Sequence, residues 1–394
     1  MSREEAYPSV YYLAERAKQR IPHFAWEYLD SGTGPEDGVA RNEAALRAVE
    51  IVPRMMAGRY EPDLETSLFD RTYTAPFGVA PVGMSGVMWA KAEIFLAAAA
   101  RKAGLPYALS CVAAETPETI GPVAGDNGWF QFYPTSDDDV RNDLLRRASE
   151  SGFKVLVVTV DVPISSTRER QHRAGLSVPP KTNLRTLWRA AIRPAWSLAM
   201  LQYRVPRLRT LEIYAKDSEN FGEMLGRVLE GRPDWEYLAA LRDLWKGPML
   251  VKGIMHPDDA ERAVALGVDG IVVSNHGARQ LDGAPASIDV LPAIAGAVGG
   301  RTKILFDSGL RGGLDIARAL ALGADFCMLG RPFLFAVGAL GEPGAAHVMA
   351  LLKEDLRNNM IQLGARSIAD LRTYDIRTAA AGGSALRIAG QSAL

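Results

Sequence analysis

The sequence is poor in several things, and each shortage removes a class of function. Only two cysteines occur in 394 residues, Cys111 and Cys327. A disulfide framework or a cysteine-based zinc site cannot be built from that count. Both sit in apolar, strand-like surroundings, where a free thiol behaves as a small core residue. Neither sign of charge is in excess: 45 Lys+Arg stand against 46 Asp+Glu, a formal charge of −1. A dedicated nucleic-acid binder would need a basic surplus for phosphate contacts, so no nucleic-acid partner is expected. Long apolar runs are also missing. The most apolar stretch, Ala75 to Ala90, is broken by Pro76, Gly78, Pro81, Gly83 and Gly86, and nothing approaches the ~20 residues of a spanning helix. Met1-Ser2-Arg3-Glu4-Glu5 has no apolar core of a secretory leader, so a reduced, cytoplasmic location is expected. No P-loop or dinucleotide fingerprint is present, which leaves a nicotinamide cofactor unsupported.

What remains is an ordinary globular composition, 48% hydrophobic and 23% charged. Length alone suggests two or three domains at about 150 residues each, although α/β barrels run longer as one unit. The first 50 or so residues read as helices, with helical spacing over Val10 to Arg20 and a break at Ser31-Gly32-Thr33-Gly34-Pro35. From Ala75 the rhythm changes. Short apolar runs occur at Phe77–Val82, Tyr107–Val112, Trp129–Tyr133, Val155–Val162, Met249–Lys252, Gly270–Ser274, Lys303–Asp307 and Phe326–Leu329. Amphipathic stretches such as Ala90–Ala103, Val140–Ser151, Pro257–Leu266 and Leu314–Leu322 separate them. Strands alternating with helices of that length predict a parallel sheet, and eight repeats predict a closed (β/α)8 TIM barrel. One domain over 1–394 is expected: an N-terminal helical segment at 1–74, the barrel at 75–340 with an insertion at 171–247 after the fourth strand, and C-terminal helices and tail at 341–394.

The ends of the runs are polar: Ser110, Gln131 and Tyr133, Thr159 and Asp161, Lys252, Ser274 and His276, Asp307. The C-terminal ends of barrel strands form the active-site face. Of five histidines, only His276 follows directly on a strand, in Ser274-Asn275-His276-Gly277-Ala278-Arg279. Imidazole is the side chain best suited to proton transfer near neutral pH. Thr159 and Asp161, two apart, share one face of the fourth strand. Glycine-rich turns with arginine follow the last two strands, Asp307-Ser308-Gly309-Leu310-Arg311 and Leu329-Gly330-Arg331, where this fold commonly seats a phosphate. The insertion from Arg170 to Leu211 carries arginines at 170, 173, 185, 189, 193, 204, 207 and 209, with Lys181 and no acidic residue. Trp188, Trp196, Leu184, Leu187, Leu198, Met200 and Leu201 are interleaved with them, a pattern that suits either an interfacial helix or a surface loop ordered over the site.

These motifs resemble the FMN-dependent α-hydroxy-acid oxidase/dehydrogenase family, over most of the chain from Tyr28 to about Leu363. The resemblance implies FMN as cofactor, oxidation of an (S)-2-hydroxy acid to the 2-oxo acid, and a homotetramer. It implies His276 as base, oriented by Asp161, and a carboxylate grip from Arg279, Arg168 and Tyr28, with Tyr133 on the reacting oxygen. Arg170 is the weaker candidate for the second arginine, because a charge there could simply be solvated. For the cofactor it implies Pro81, Val82 and Gly83 beside the flavin; Ser110, Gln131, Thr159 and Ser274 as polar partners; Lys252 against the charge of the reduced ring; and Asp307, Gly309, Arg311, Gly330 and Arg331 toward ribityl chain and phosphate. No metal is implied. Val82 replaces a usual Thr and Gly83 a usual Ala, which would open space over the ring. Val112 and Ser165 stand where larger residues are common, so a bulky or aromatic acid such as mandelate is expected, with L-lactate the alternative. Quinone is preferred to oxygen as acceptor, with a peripheral membrane contact through 172–211 at the inner face. An FMN-barrel isomerase or a non-catalytic flavoprotein would have no use for His276, Arg279, Asp161 and Lys252 together.

Overall fold

The computed structural model describes residues 2–175, 184–203, 206–215, 226, 228–229, 231, 233–378 and 385–386. Eight parallel strands close on themselves: β1 Phe77–Val79, β2 Tyr107–Ser110, β3 Gly128–Phe132, β4 Val155–Thr159, β5 Met249–Ile254, β6 Gly270–Val273, β7 Lys303–Phe306 and β8 Phe326–Leu329. Each expected run yields a strand, and most stop a residue or more before the run ends, so the polar residues noted above lie at or just past the strand termini. Nearly every strand residue is buried. Burial on both faces is why these strands read as continuous apolar runs instead of alternating ones. Helices such as Ala92–Ala103, Asp138–Glu150 and Gly313–Ala321 complete the outer ring. The (β/α)8 barrel is therefore the fold.

Inside the barrel, Ala108, Trp129, Val155, Val157, Leu250, Val272, Leu305, Phe326 and Met328 form one buried cluster. Its floor departs from the helical expectation for 1–74. Thr66–Leu68 and Arg71–Tyr73 form an antiparallel hairpin, and its two-residue loop, Phe69-Asp70, has φ of 53° and 59° at both positions. Those values define the primed turn whose twist matches a hairpin, reached here without glycine. Strands of three residues leave no periodicity to read, so the sequence hides them. Leu68 and Tyr73 enter the cluster, and the Trp129 indole N–H donates to the Tyr73 hydroxyl at 3.1 Å. The lower end is sealed by side chains.

The helices Val10–Arg20, His23–Asp30 and Asp37–Arg47 pack over the opposite, functional side. The last begins on Asp282, whose carboxylate accepts from the Asp37 and Gly38 amides at 3.2 and 2.8 Å, a favourable place for a negative charge. Within 171–247, the helix Trp235–Leu244 belongs to the barrel wall: Leu238 and Leu241 are buried, and Arg242 pairs with Asp269 at 2.8 Å. The rest of the insertion supplies the helices Glu169–Ala174, Leu184–Ala191, Pro194–Tyr203 and Arg209–Glu212. Lys181 and Arg204, counted in its basic face, lie outside the described residues. At the C-terminal side, Arg331–Leu340 and Glu342–Leu363 are helical, and Ile376–Arg377 pairs with Glu50–Ile51. Among the described residues no helix is long and apolar enough to cross a membrane. Both cysteines are buried free thiols, and burial pushes Cys111 up to about 12. That makes a thiolate role implausible.

Candidate active site

The strand ends open into a cavity of about 620 Å³. Around it stand Tyr28 from the N-terminal helices; Pro81, Val82 and Gly83 after β1; Tyr133 after β3; Arg168; Lys252 of β5; His276 and Arg279 after β6; Asp307, Gly309 and Arg311 after β7; and Gly330 and Arg331 after β8. Residues separated by up to three hundred positions are thus brought to one rim.

At its centre, His276 Nδ1 lies 2.9 Å from Asp161 Oδ1. A carboxylate only accepts, so Nδ1 carries the proton and Nε2 is left with its lone pair. Nε2 lies 3.5 Å from the Tyr133 hydroxyl. Burial holds the imidazole below its ordinary pKa of 6.5, and Asp161 only partly offsets it. Burial works to raise the Asp161 carboxyl, but His276 and Lys252 outweigh it, and the group stays ionised. Lys252 Nζ is 3.8 Å from Asp161 Oδ2 and 3.4 Å from Asp307 Oδ2. Burial alone would lower the Lys252 pKa, and the two carboxylates reverse that. Among the described residues Asp161 Oδ2 accepts no hydrogen bond.

The backbone makes these contacts possible at two places. Gly253 has φ 108° at a register shift between β5 and β6. A Cβ there would stand 2.5 Å from that of Asp161, so only glycine lets the carboxylate approach while the bulge re-aims Lys252. The turn His276-Gly277-Ala278 runs left-handed throughout, with φ of 58°, 64° and 59°. Asn275 supports it, accepting from the Ala278 amide at 3.2 Å and exchanging side-chain hydrogen bonds with Asn42 at 2.7 and 2.9 Å.

Two arginines converge nearby. Arg279 donates to the Ser31 carbonyl at 2.8 Å and lies 5.1 Å over the Tyr28 ring. Burial, then Arg168, lowers its pKa to about 10. Arg168 is steadied by Ser166 Oγ at 3.0 Å and Gln280 Oε1 at 3.1 Å, and the Tyr28 hydroxyl donates to the Gly83 carbonyl at 2.9 Å. Arg170 does not line the cavity and, though partly exposed, is not a free surface charge. It binds Glu27, Asp30 and Glu36 at 2.7, 3.1 and 2.7 Å, clamping the insertion to the N-terminal helices.

At the far end, Arg331 donates, among the described residues, to the carbonyls of Leu29, Ser31 and Gly277. Burial, with Arg311 and Arg279, lowers it to about 9. Arg311 pairs with Glu43 at 3.0 Å. A buried guanidinium beside others, with neutral partners, lacks an anion, and a phosphate monoester fits it.

The four residues expected as polar partners of the ring are bonded within the chain. Ser110 Oγ donates to Gln131 Oε1 at 2.7 Å and Gln131 Nε2 to Thr159 Oγ1 at 3.0 Å, a buried chain that does not line the cavity. Ser274 accepts from Lys252 and from the His276 amide. Gly83 does not open free space as expected, because a Cβ there would lie 2.6 Å from a Val112 methyl. Ser166, Gln280 and Ser308 are participants that sequence reasoning passed over, though all three adjoin motifs it singled out.

A (β/α)8 barrel with a phosphate seat, a lysine at its rim and a His–Asp pair facing arginines defines a flavin-dependent 2-hydroxy-acid oxidoreductase. The chain belongs to the FMN-dependent dehydrogenase family, whose model matches residues 17–378. It is 38% identical over 359 residues to an L-lactate dehydrogenase of Pseudomonas entomophila, and 40% identical over 359 residues to one of Stenotrophomonas maltophilia. Each alignment covers 90% of this chain and 94% of the relative. Among solved structures it is similar to a monotopic membrane protein, (S)-mandelate dehydrogenase, with a TM-score of 0.88, 30% identity and coverage of 94% of this chain and 99% of that one. A mandelate oxidase structure matches at a TM-score of 0.81 and 32% identity, with the same coverage. The protein is an FMN-dependent α-hydroxy-acid oxidoreductase.

Arg331, without a carboxylate partner beside Arg311, generates a test on protein freed of flavin. Orthophosphate should raise its unfolding temperature, whereas chloride at equal ionic strength should not, because ligand held only by the folded state stabilises it. Equal effects of the two salts would remove the phosphate seat from Arg311 and Arg331.

Proposed function

We propose that His276 is the base in oxidation of an (S)-2-hydroxy acid to its 2-oxo acid, and that the acid is bulky or aromatic, with mandelate first. The observation that carries the first part is the 2.9 Å pair between His276 Nδ1 and Asp161, which leaves the Nε2 lone pair toward the Tyr133 hydroxyl on the cavity wall. Arg279 and Arg168 bind the substrate carboxylate, a task for which planar guanidinium is suited, and Tyr28 completes the grip. Tyr133 hydrogen-bonds the reacting oxygen. His276 takes a proton at Nε2, and Asp161 stabilises the imidazolium so formed. FMN, when bound, would be held by Arg311, Arg331, Asp307, Gly309 and Gly330, with Pro81, Val82 and Gly83 alongside, and would take up the two electrons and the hydrogen that His276 does not. Lys252 would supply positive charge suited to a cofactor that becomes anionic on reduction.

His276→Gln should retain flavin and lose about 10²- to 10⁴-fold in kcat, the range for loss of an acid–base group. The base must be neutral, and its pKa lies below 6.5. The acid limb of kcat/KM should therefore fall below pH 6.5, with activity rising as pH increases through it. Near-normal turnover of the variant, or an acid limb well above 6.5, removes His276 from this role.

The size of the acid is supported by Val112 and Ser165, short side chains on the cavity wall, and by likeness to mandelate enzymes. L-lactate is the second reading, favoured by the 38–40% identity to L-lactate dehydrogenases. A hydrophobic pocket separates such substrates by about 10- to 200-fold. The ratio of kcat/KM for mandelate over L-lactate should exceed about tenfold, and a ratio below one would overturn the assignment.

We also propose a quinone as acceptor, reached from a bilayer on which the insertion rests. Leu184, Leu187, Trp188, Leu198 and Leu201 are exposed. The arginines contribute less than composition suggests, because Arg189 and Arg193 bind carbonyls and Arg207 and Arg209 pair with Glu212 and Glu115. Docking then rests on apolar contact. Sedimentation with neutral phosphatidylcholine vesicles should persist in high salt. Trp188→Ser with Leu201→Ser should reduce it while turnover with a soluble dye acceptor is kept. Absence of vesicle binding by the intact protein would sink the docking proposal.

A further inference from the structure

The left-handed turn that carries His276 is suspended by two hydroxyls. The His276 amide donates to Ser274 Oγ at 3.1 Å, and the next amide, Gly277, donates to Ser308 Oγ at 2.9 Å. Each hydroxyl also meets one member of the Lys252–Asp307 ion pair. Lys252 Nζ donates to Ser274 Oγ at 2.9 Å, and Ser308 Oγ donates to Asp307 Oδ1 at 2.7 Å. Two consecutive amides of the turn therefore hang from one buried ion pair, while the imidazole is tied to Asp161, which faces the same lysine.

Ser308 holds this place at a cost to its backbone. Its φ is 83°, in the region that favours glycine, and the next residue is Gly309 at 93°. A side chain kept in a strained conformation, at a wall of the cavity, points to a use for the side chain. We infer that Ser308 is a positioning residue: its hydroxyl fixes the Gly277 amide and so sets the reach of His276 from the turn that carries it. The inference rests on the assignment of His276 as base.

Two substitutions separate positioning from general support of the fold. Ser308→Gly and Ser308→Ala both delete the hydroxyl, but only glycine relieves the strain at positive φ. The Gly variant should melt at a higher temperature than the Ala variant. Both should nonetheless lose kcat by a similar factor, about fivefold for one hydrogen bond, with KM and flavin content little changed. A purely structural role would make activity follow melting temperature, leaving the Gly variant markedly more active than the Ala variant. That ranking, or unchanged kcat in both, overturns the inference while a dead His276→Gln leaves the base assignment standing. An active His276→Gln overturns both.

Discussion

The buried lysine between two carboxylates is the constraint on which the site depends. Burial in the barrel mouth works against the charge of Lys252, and Asp161 with Asp307 outweighs it, while His276 and Lys252 together keep the Asp161 carboxyl ionised. Burying such charges is costly unless they are paired and hydrogen-bonded. Once they are paired, everything attached to them inherits a fixed position. Asp161 orients the imidazole, Ser274 and Ser308 hold its turn, and Gly253 makes room for the approach.

The N-terminal helices matter to the chemistry through their backbone more than their side chains. Carbonyls of Leu29 and Ser31 receive Arg331, and Ser31 also receives Arg279. Arg170 then fastens the insertion to the same helices through three carboxylates. The arginines proposed to hold substrate and phosphate thus share one support with the insertion, and a disturbance in residues 27–36 would reach all of them.

Much of this was legible beforehand for physical reasons. Parallel strands buried on both faces leave apolar runs that composition cannot hide, and polar residues placed after them mark the functional rim. Hence the barrel, the His276–Asp161 pair and the arginine-bearing turns could be read from spacing and resemblance. The hairpin Thr66–Tyr73 could not, because three-residue strands have no period, and its turn uses Phe69-Asp70 where glycine or asparagine would have signalled it. Ser308 sat in view, yet its backbone strain and its bond to Gly277 are three-dimensional facts. Arg170 shows the reverse error, an apparently solvated charge that is in fact the most heavily bonded arginine near the mouth. Gly83 suggested extra room when read singly, and a Val112 methyl occupies the place beside it.

The sealed floor also fixes the direction of approach. With Leu68, Tyr73, Trp129 and Phe326 packed into the lower barrel, the cavity is closed from below and opens at the strand ends, beside Tyr28 and Arg168.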